Sequence, residues 1–197
     1  AGDTLHVSME ITSVDTNKTQ SETLIQSTPL YWQNVFGPKW RMLVIGAGPI
    51  ARYLVDMAAT VDIAAVVIDP RPEYAQDWDA SLAELVMAYP DDVFDELCID
   101  NKTMVVALSH DPKLDDLAIM AALGSPAAYV GAMGSAKTSE NRRQRLVEHF
   151  GFNQHSLSKL KAPIGLDIHS KTPAEIAVSI LADLIRVKNR PVNSVNQ

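Results

Sequence analysis

Gly46-Ala47-Gly48-Pro49-Ile50-Ala51 is the stretch best suited to hold a ligand. It has the form GxGxxA, follows the apolar run Met42-Leu43-Val44-Ile45 and opens a segment of helical periodicity. In that context Gly46 permits a tight turn, Gly48 lets a phosphate approach the backbone, and Ala51 lets helix and strand pack closely. A helix N-terminus adds unpaired N–H groups and a partial positive charge. Pro49 removes one of those donors, and Ile50 shares its turn. Asp69 ends the next apolar run, 23 residues after Gly46. A carboxylate there accepts hydrogen bonds from a ribose diol, whereas Arg71, two residues on, suits a further phosphate. The bland alternative is a strand–helix turn with no ligand.

Three further segments carry candidates. Ser109-His110-Asp111-Pro112 follows a strong apolar run. Asp111-Pro112 makes a good helix cap, while His110 is a general acid or base, a ligand contact, or a partner of Asp111. Gly131-Ala132-Met133-Gly134-Ser135 reads as an anion-cradling loop, with Gly131, Gly134 and Ser135 as its contacts. The stretch from Lys137 to Arg145 is polar all round and reads as unpacked. It is either a solvated helix end or a place where Lys137 with Arg142 or Arg143 faces an anion. Pro163–Ile168 reads as a buried irregular loop, whose Asp167 either satisfies backbone groups or serves a site. Cys98 has no base nearby and reads as a buried structural thiol. No catalytic residue and no metal-ligand set is assigned.

These residues need a scaffold, and the chain has room for one. There are 197 residues, 47% of them hydrophobic, with a net charge of −7. An acidic chain argues against a nucleic-acid partner. A single cysteine excludes an intrachain disulfide and a CxxC-type zinc site. No apolar run reaches 18 residues, so no membrane span is expected, and Ala1-Gly2-Asp3 does not open a signal peptide. A cytoplasmic location is expected.

Leu5, Val7, Met9 and Ile11 alternate with polar residues, which predicts a strand. A second strand is expected around 19–25, and Pro29–Trp40 reads as a linker with aromatic anchors. An exposed N-terminal strand also suggests pairing between chains, hence a homo-oligomer such as a dimer. From Arg41 strands and helices alternate. Strands are expected over 42–45, 63–68, 83–88, 103–108 and 127–130. Helices are expected over 49–59 and 113–123, with a long one ending at Phe150-Gly151. A last helix is capped by Thr172-Pro173-Ala174-Glu175. The result is an α/β, doubly wound, mostly parallel Rossmann-like sheet, ordered 3-2-1-4-5, with a short N-terminal β appendage. The domain plan is 1–40 appendage and linker, 41–190 Rossmann-like domain, and 191–197 tail.

Five motifs occur in order: GAGPIA at 46–51, DPRPEYA at 69–75, LSHDPKLD at 108–115, YVGAMGSAKT at 129–138 and APIGLDIHSKTPAEIAVSILADL at 162–184. Together they resemble the C-terminal Rossmann domain of the XdhC/CoxI family, accessory proteins of xanthine dehydrogenase and related molybdenum hydroxylases. The resemblance implies a maturation factor. It would bind molybdenum cofactor (molybdopterin), aid its sulfuration, and deliver it to the apo-hydroxylase, with a cysteine desulfurase as a further partner. Family members often carry His where this chain has Pro49, and an upstream domain with a Cys-x-Gly-Gly motif that this chain lacks. The alternatives are an NAD(P)-dependent oxidoreductase and a non-catalytic docking module with a vestigial nucleotide site.

Overall fold

The computed structural model describes residues 5–10, 31–36 and 40–190. The chain divides into two compact units, Ala1–Pro38 and Lys39–Gln197.

In the first unit, β1 (Leu5–Glu10) pairs antiparallel with β2 (Tyr31–Phe36), Leu5 opposite Phe36 and Glu10 opposite Tyr31. The segment expected to be a linker is thus a strand. The reason is composition: Tyr31, Trp32, Val35 and Phe36 are aromatic or β-branched and favour extended backbone. The strand expected around 19–25 lies outside the described residues.

The second unit is a six-stranded parallel sheet ordered β5-β4-β3-β6-β7-β8. In chain order its elements are β3 (Trp40–Ile45), α1 (Pro49–Ala59), β4 (Ile63–Ile68), α2 (Pro72–Ala75), β5 (Glu84–Val86) and α3 (Pro90–Val93). They continue as β6 (Thr103–Ala107), α4 (Pro112–Leu123), β7 (Tyr129–Ala132), α5 (Ala136–Phe150), α6 (Gln154–Leu157), β8 (Leu160–Lys161) and α7 (Pro173–Lys188). The five expected strands keep their order, and β8 extends the sheet by one. A two-residue strand is too short for periodicity to reveal.

Central strands are apolar on both faces, because helices cover both. Met42 and Val44 of β3, with Met104 and Val106 of β6, join the core formed with α1 and α7. Leu43, Ile45, Val105 and Ala107 join the opposite core, with α4 and Leu146 of α5. The expected inward face of α1, namely Ile50, Ala51, Leu54, Val55 and Ala58, is buried. On α7 the capping box forms: Thr172 Oγ1 accepts from Glu175 N–H, and the Glu175 carboxylate accepts from Thr172 N–H. Gly151 ends α5 in a left-handed conformation, φ 69°.

Two readings need correction. β7 spans Tyr129–Ala132 rather than 127–130, because its parallel register sets Met104 opposite Tyr129 and Ala107 opposite Ala132. Cys98 is exposed, not buried; it falls in the irregular stretch between α3 and β6, where little core packs over it.

Across the sheet, Tyr129 Oη donates to Asp183 Oδ2 at 2.8 Å, and both groups are buried. Burial, reinforced by the Asp183 charge, pushes the Tyr129 hydroxyl far above its ordinary range. This bond joins β7 to α7. Tyr129→Phe is expected to cost about 1–3 kcal/mol, because Asp183 loses a donor where water does not reach. Urea denaturation checks this, and an unchanged midpoint would show that the bond holds nothing.

Candidate functional site

Every strand of a parallel sheet points its carboxyl end to one edge, and ligands bind there where strand order reverses. In this sheet the reversal lies between β3 and β6. The loop after β3 carries Gly46 and Gly48, and the loop after β6 carries Ser109 and His110. The two loops touch. Gly46 has φ 101°, and a Cβ there would lie 2.5 Å from Ser109 Cα. Gly48 is different: a Cβ on it would meet nothing within 4 Å. Gly46 is therefore required by packing, while Gly48 faces open space.

That open space is lined with donors. Gly46 N–H goes to Ile68 C=O, and Ala47 N–H to Asp69 Oδ2. Among the described residues, no acceptor meets the N–H groups of Gly48, Ile50 and Ala51, but Ala51 has no exposed surface, so only Gly48 and Ile50 offer donors at this space. Gly48 caps α1 without a side chain, and Pro49 has no N–H to offer. The helix start thus presents unspent donors and the positive end of its dipole, features that suit an anion.

Asp69 has no exposed surface. Its Oδ1 accepts from Arg71 N (3.0 Å) and Nε (2.8 Å), and its Oδ2 from Ala47 N (2.9 Å) and Arg71 Nη2 (2.8 Å). An ionised carboxylate has about four lone-pair sites, and all are occupied. No acceptor is left for a ribose diol, so Asp69 positions the loop and Arg71. Burial alone would raise its pKa, but the Arg71 and Ala47 hydrogen bonds outweigh it and hold the carboxyl below its ordinary range. Arg71 also donates Nη1 to Ser109 C=O at 3.3 Å and lies 4.1 Å from the Tyr74 ring. Its side chain is 22% exposed. Three of its five guanidinium donors are used, so two remain for a ligand.

The remaining candidates sort differently. His110 is exposed and left-handed at φ 61°. It is not paired with Asp111, which caps α4 by accepting from Lys113 N–H. Gly131 is buried within β7, where a Cβ would lie 2.6 Å from Ile164 Cδ1, so it serves packing and not ligand contact. Ser135 caps α5, accepting from Thr138 N–H at 3.1 Å. Gly134, at the turn before it, has a Cβ position 3.3 Å from Thr138.

Arg142 corrects the reading of α5 as unpacked. It is buried, donating to Asp116 (3.0 Å), Asp115 (3.2 Å) and Met133 C=O (3.1 Å). Arg145 completes the network on Asp116. Asp115 in turn accepts from Ser109 Oγ (2.6 Å) and N–H (3.1 Å). Burial pushes Asp115 above the usual range, against the pull of Ser109 and Arg142. Arg143 donates to Leu157 C=O and Leu160 C=O and so fastens β8. Arg142 is thus spent on buried partners, while Arg143 is tied to carbonyls and Lys137 remains exposed. Sequence composition could not show the burial of Arg142, because its matching carboxylates sit on α4.

Asp167 is not in a buried loop. Its side chain is 88% exposed, and it lines a cleft of about 540 Å³ with Met133, Gly134 and residues 163–170. Among the described residues, no cluster of three or more His, Cys, Asp or Glu could hold a metal ion. No helix among them is long and apolar enough to cross a membrane.

Residues 42–184 match the family described as the XdhC Rossmann domain. This chain belongs to that family. It is 31% identical over 166 residues to a probable xanthine dehydrogenase subunit of Bacillus subtilis, covering 84% of this chain and 48% of that protein. Over 90 residues it is 31% identical to the molybdenum cofactor insertion chaperone PaoD of Escherichia coli, covering 46% of this chain and 28% of PaoD. The crystal structure of a xanthine dehydrogenase from Bacillus halodurans superposes with TM-score 0.66 at 28% identity, covering 88% of this chain and 50% of that one. The chain spans about half the length of the first of these relatives.

Asp69→Asn tests the positioning role of this XdhC-family carboxylate. Its lowered pKa contributes stability that is fully present above the ordinary value of 3.8 and is lost as pH falls through the lowered one. The variant is expected to lose about 2–3 kcal/mol at neutral pH, the worth of hydrogen bonds to a charged group. The gap to wild type should narrow as pH falls below 3.8. A gap independent of pH, read from denaturation curves, would remove Asp69 from this role.

Proposed function

We propose that this domain binds the phosphate end of molybdenum cofactor at the start of α1 and acts as an accessory factor for a xanthine dehydrogenase-type hydroxylase. The observation that carries this is the open space over Gly48, with the N–H groups of Gly48 and Ile50 unpartnered among the described residues and Arg71 held nearby. Molybdopterin carries a phosphate and its nucleotide form a diphosphate, which is the chemistry such a cradle selects. The residues present fit that end of the cofactor: Gly48 and Ile50 would donate backbone N–H bonds, and Arg71 would supply positive charge held in place by Asp69. When bound, the cofactor supplies the molybdenum centre; this chain's residues hold and orient it. The similarity to PaoD, named as a molybdenum cofactor insertion chaperone, supports the assignment. On this proposal the partner is the apo-hydroxylase. Aid to sulfuration with a cysteine desulfurase, pairing of two copies, and a cytoplasmic location belong to the same proposal.

An NAD(P)-dependent oxidoreductase is less well supported, because the acidic residue such a site needs for the ribose diol has no free lone pair.

Calorimetric titration of the chain with isolated molybdenum cofactor, NAD and NADP, repeated on Gly48→Val, tests the proposal. A Cβ at Gly48 meets nothing within 4 Å and its φ of −79° suits any residue, so folding is expected to be retained within about 1 kcal/mol while cofactor binding falls at least about tenfold. By contrast, Gly46→Ala should cost about 2–4 kcal/mol, from left-handed strain and overlap with Ser109. Cofactor binding that survives Gly48→Val would place the site elsewhere, and binding of NAD or NADP alone would favour the oxidoreductase reading, which NAD-dependent turnover would then have to establish.

A further inference from the structure

The cleft beside Asp167 lies on the same edge and the same face of the sheet as Gly48. Met133, Ile164 and Ile176, which line it, pack against the core shared by α1 and α7, and Ala47 and Ile50 belong to that core. Met133 follows β7, two strands from β3. At a strand spacing of ~4.8 Å, the phosphate cradle and the cleft are on the order of 10 Å apart, within the length of one phosphate-bearing heterocyclic ligand. The volume, about 540 Å³, is of the size that takes small molecules.

The loop that forms the cleft is fastened on both sides of Gly165. Ile164 N–H donates to Ala132 C=O (3.0 Å), Leu166 N–H to Ser179 C=O (3.2 Å), and Ser179 Oγ to Leu166 C=O (2.6 Å). Gly165, at φ 87°, lets the loop lie so close to α7 that a Cβ would sit 2.4 Å from Ser179 Oγ. Beyond these bonds the loop presents Asp167. Its Oδ1 is touched only by His169, by N–H and by Nδ1, each at 3.4 Å, the weak end of hydrogen bonding. Its Oδ2 has no partner among the described residues. This carboxylate holds no other element of the fold among the described residues, and it stands next to the fastened Leu166 at the rim of a cleft lined by both apolar and polar residues.

We propose that this cleft receives the heterocycle of the same ligand, a 2-amino-4-oxopyrimidine ring such as a pterin, with Asp167 accepting its paired N–H donors. A planar ring of that kind presents a ring N–H and an exocyclic amino group side by side, the donor pair that a carboxylate's two oxygens match. Met133, Ile164 and Ile176 supply apolar contact to its faces, and the Met133 thioether suits an aromatic surface. This assignment rests on the phosphate proposal for its ligand class, but pterin without phosphate tests it alone.

Pterin and lumazine differ in that lumazine has a carbonyl in place of the 2-amino group. Their affinities for the full chain, read from pterin or lumazine fluorescence, should favour pterin by at least about tenfold, the worth of a charge-assisted hydrogen bond. Asp167→Asn should abolish the preference, and Gly48→Val should leave it intact. Because Asp167 is exposed and outside the core, that variant is expected to fold. Equal affinities, no pterin binding, or a preference that survives Asp167→Asn would overturn the assignment. Cofactor binding that Gly48→Val abolishes would then still support the phosphate site.

Discussion

Ala47 N–H and three donors of Arg71 converge on the two oxygens of Asp69, and the ligand edge is arranged around that convergence. The Ala47 bond turns the first loop so that Gly48 and the start of α1 face outward. The Arg71 bonds draw a guanidinium over the junction of three loops, where it also reaches Ser109 C=O. A buried carboxylate in low dielectric is costly unless fully satisfied. Here satisfaction is complete, so the group that could have recognised a ribose is committed to holding the site's shape.

The same device recurs on the other face of the sheet. Asp115 holds the loop after β6 through Ser109, and Arg142 holds the loop after β7 through Met133 C=O. Asp115 and Asp116 join the two through Arg142. Breaking such a buried pair on one side leaves an uncompensated charge. The outcome is an edge whose backbone is fixed while Gly48, His110, Lys137, Asp167 and His169 remain exposed or open. Rigid support beneath unspent polar groups is what binding without large ordering cost requires.

Local features are legible in the sequence and distant pairings are not. GxGxxA, the caps at Asp111 and Thr172, and the strand order follow from adjacent residues and periodicity, whereas Ser135 reads as an anion contact until the structure shows it capping α5. The state of Asp69 depends on where Arg71 folds back and on Ala47, 22 residues earlier. Arg142 reads as solvated in the sequence because its partners are on another helix. Gly131 reads as loop because the register that places it in β7 is set by β6. Asp167 stands out in the sequence as a polar residue in an apolar loop, but its exposure follows from how Gly165 and Ser179 seat that loop on α7.

Backbone amide NMR during titration with isolated molybdenum cofactor tests the central claim, that the open start of α1 holds a phosphate, most directly. The account predicts that the largest shifts centre on the amides of Gly48 and Ile50, with the Arg71 Nε–H moving alongside. Saturating binding that leaves those signals in place would contradict it.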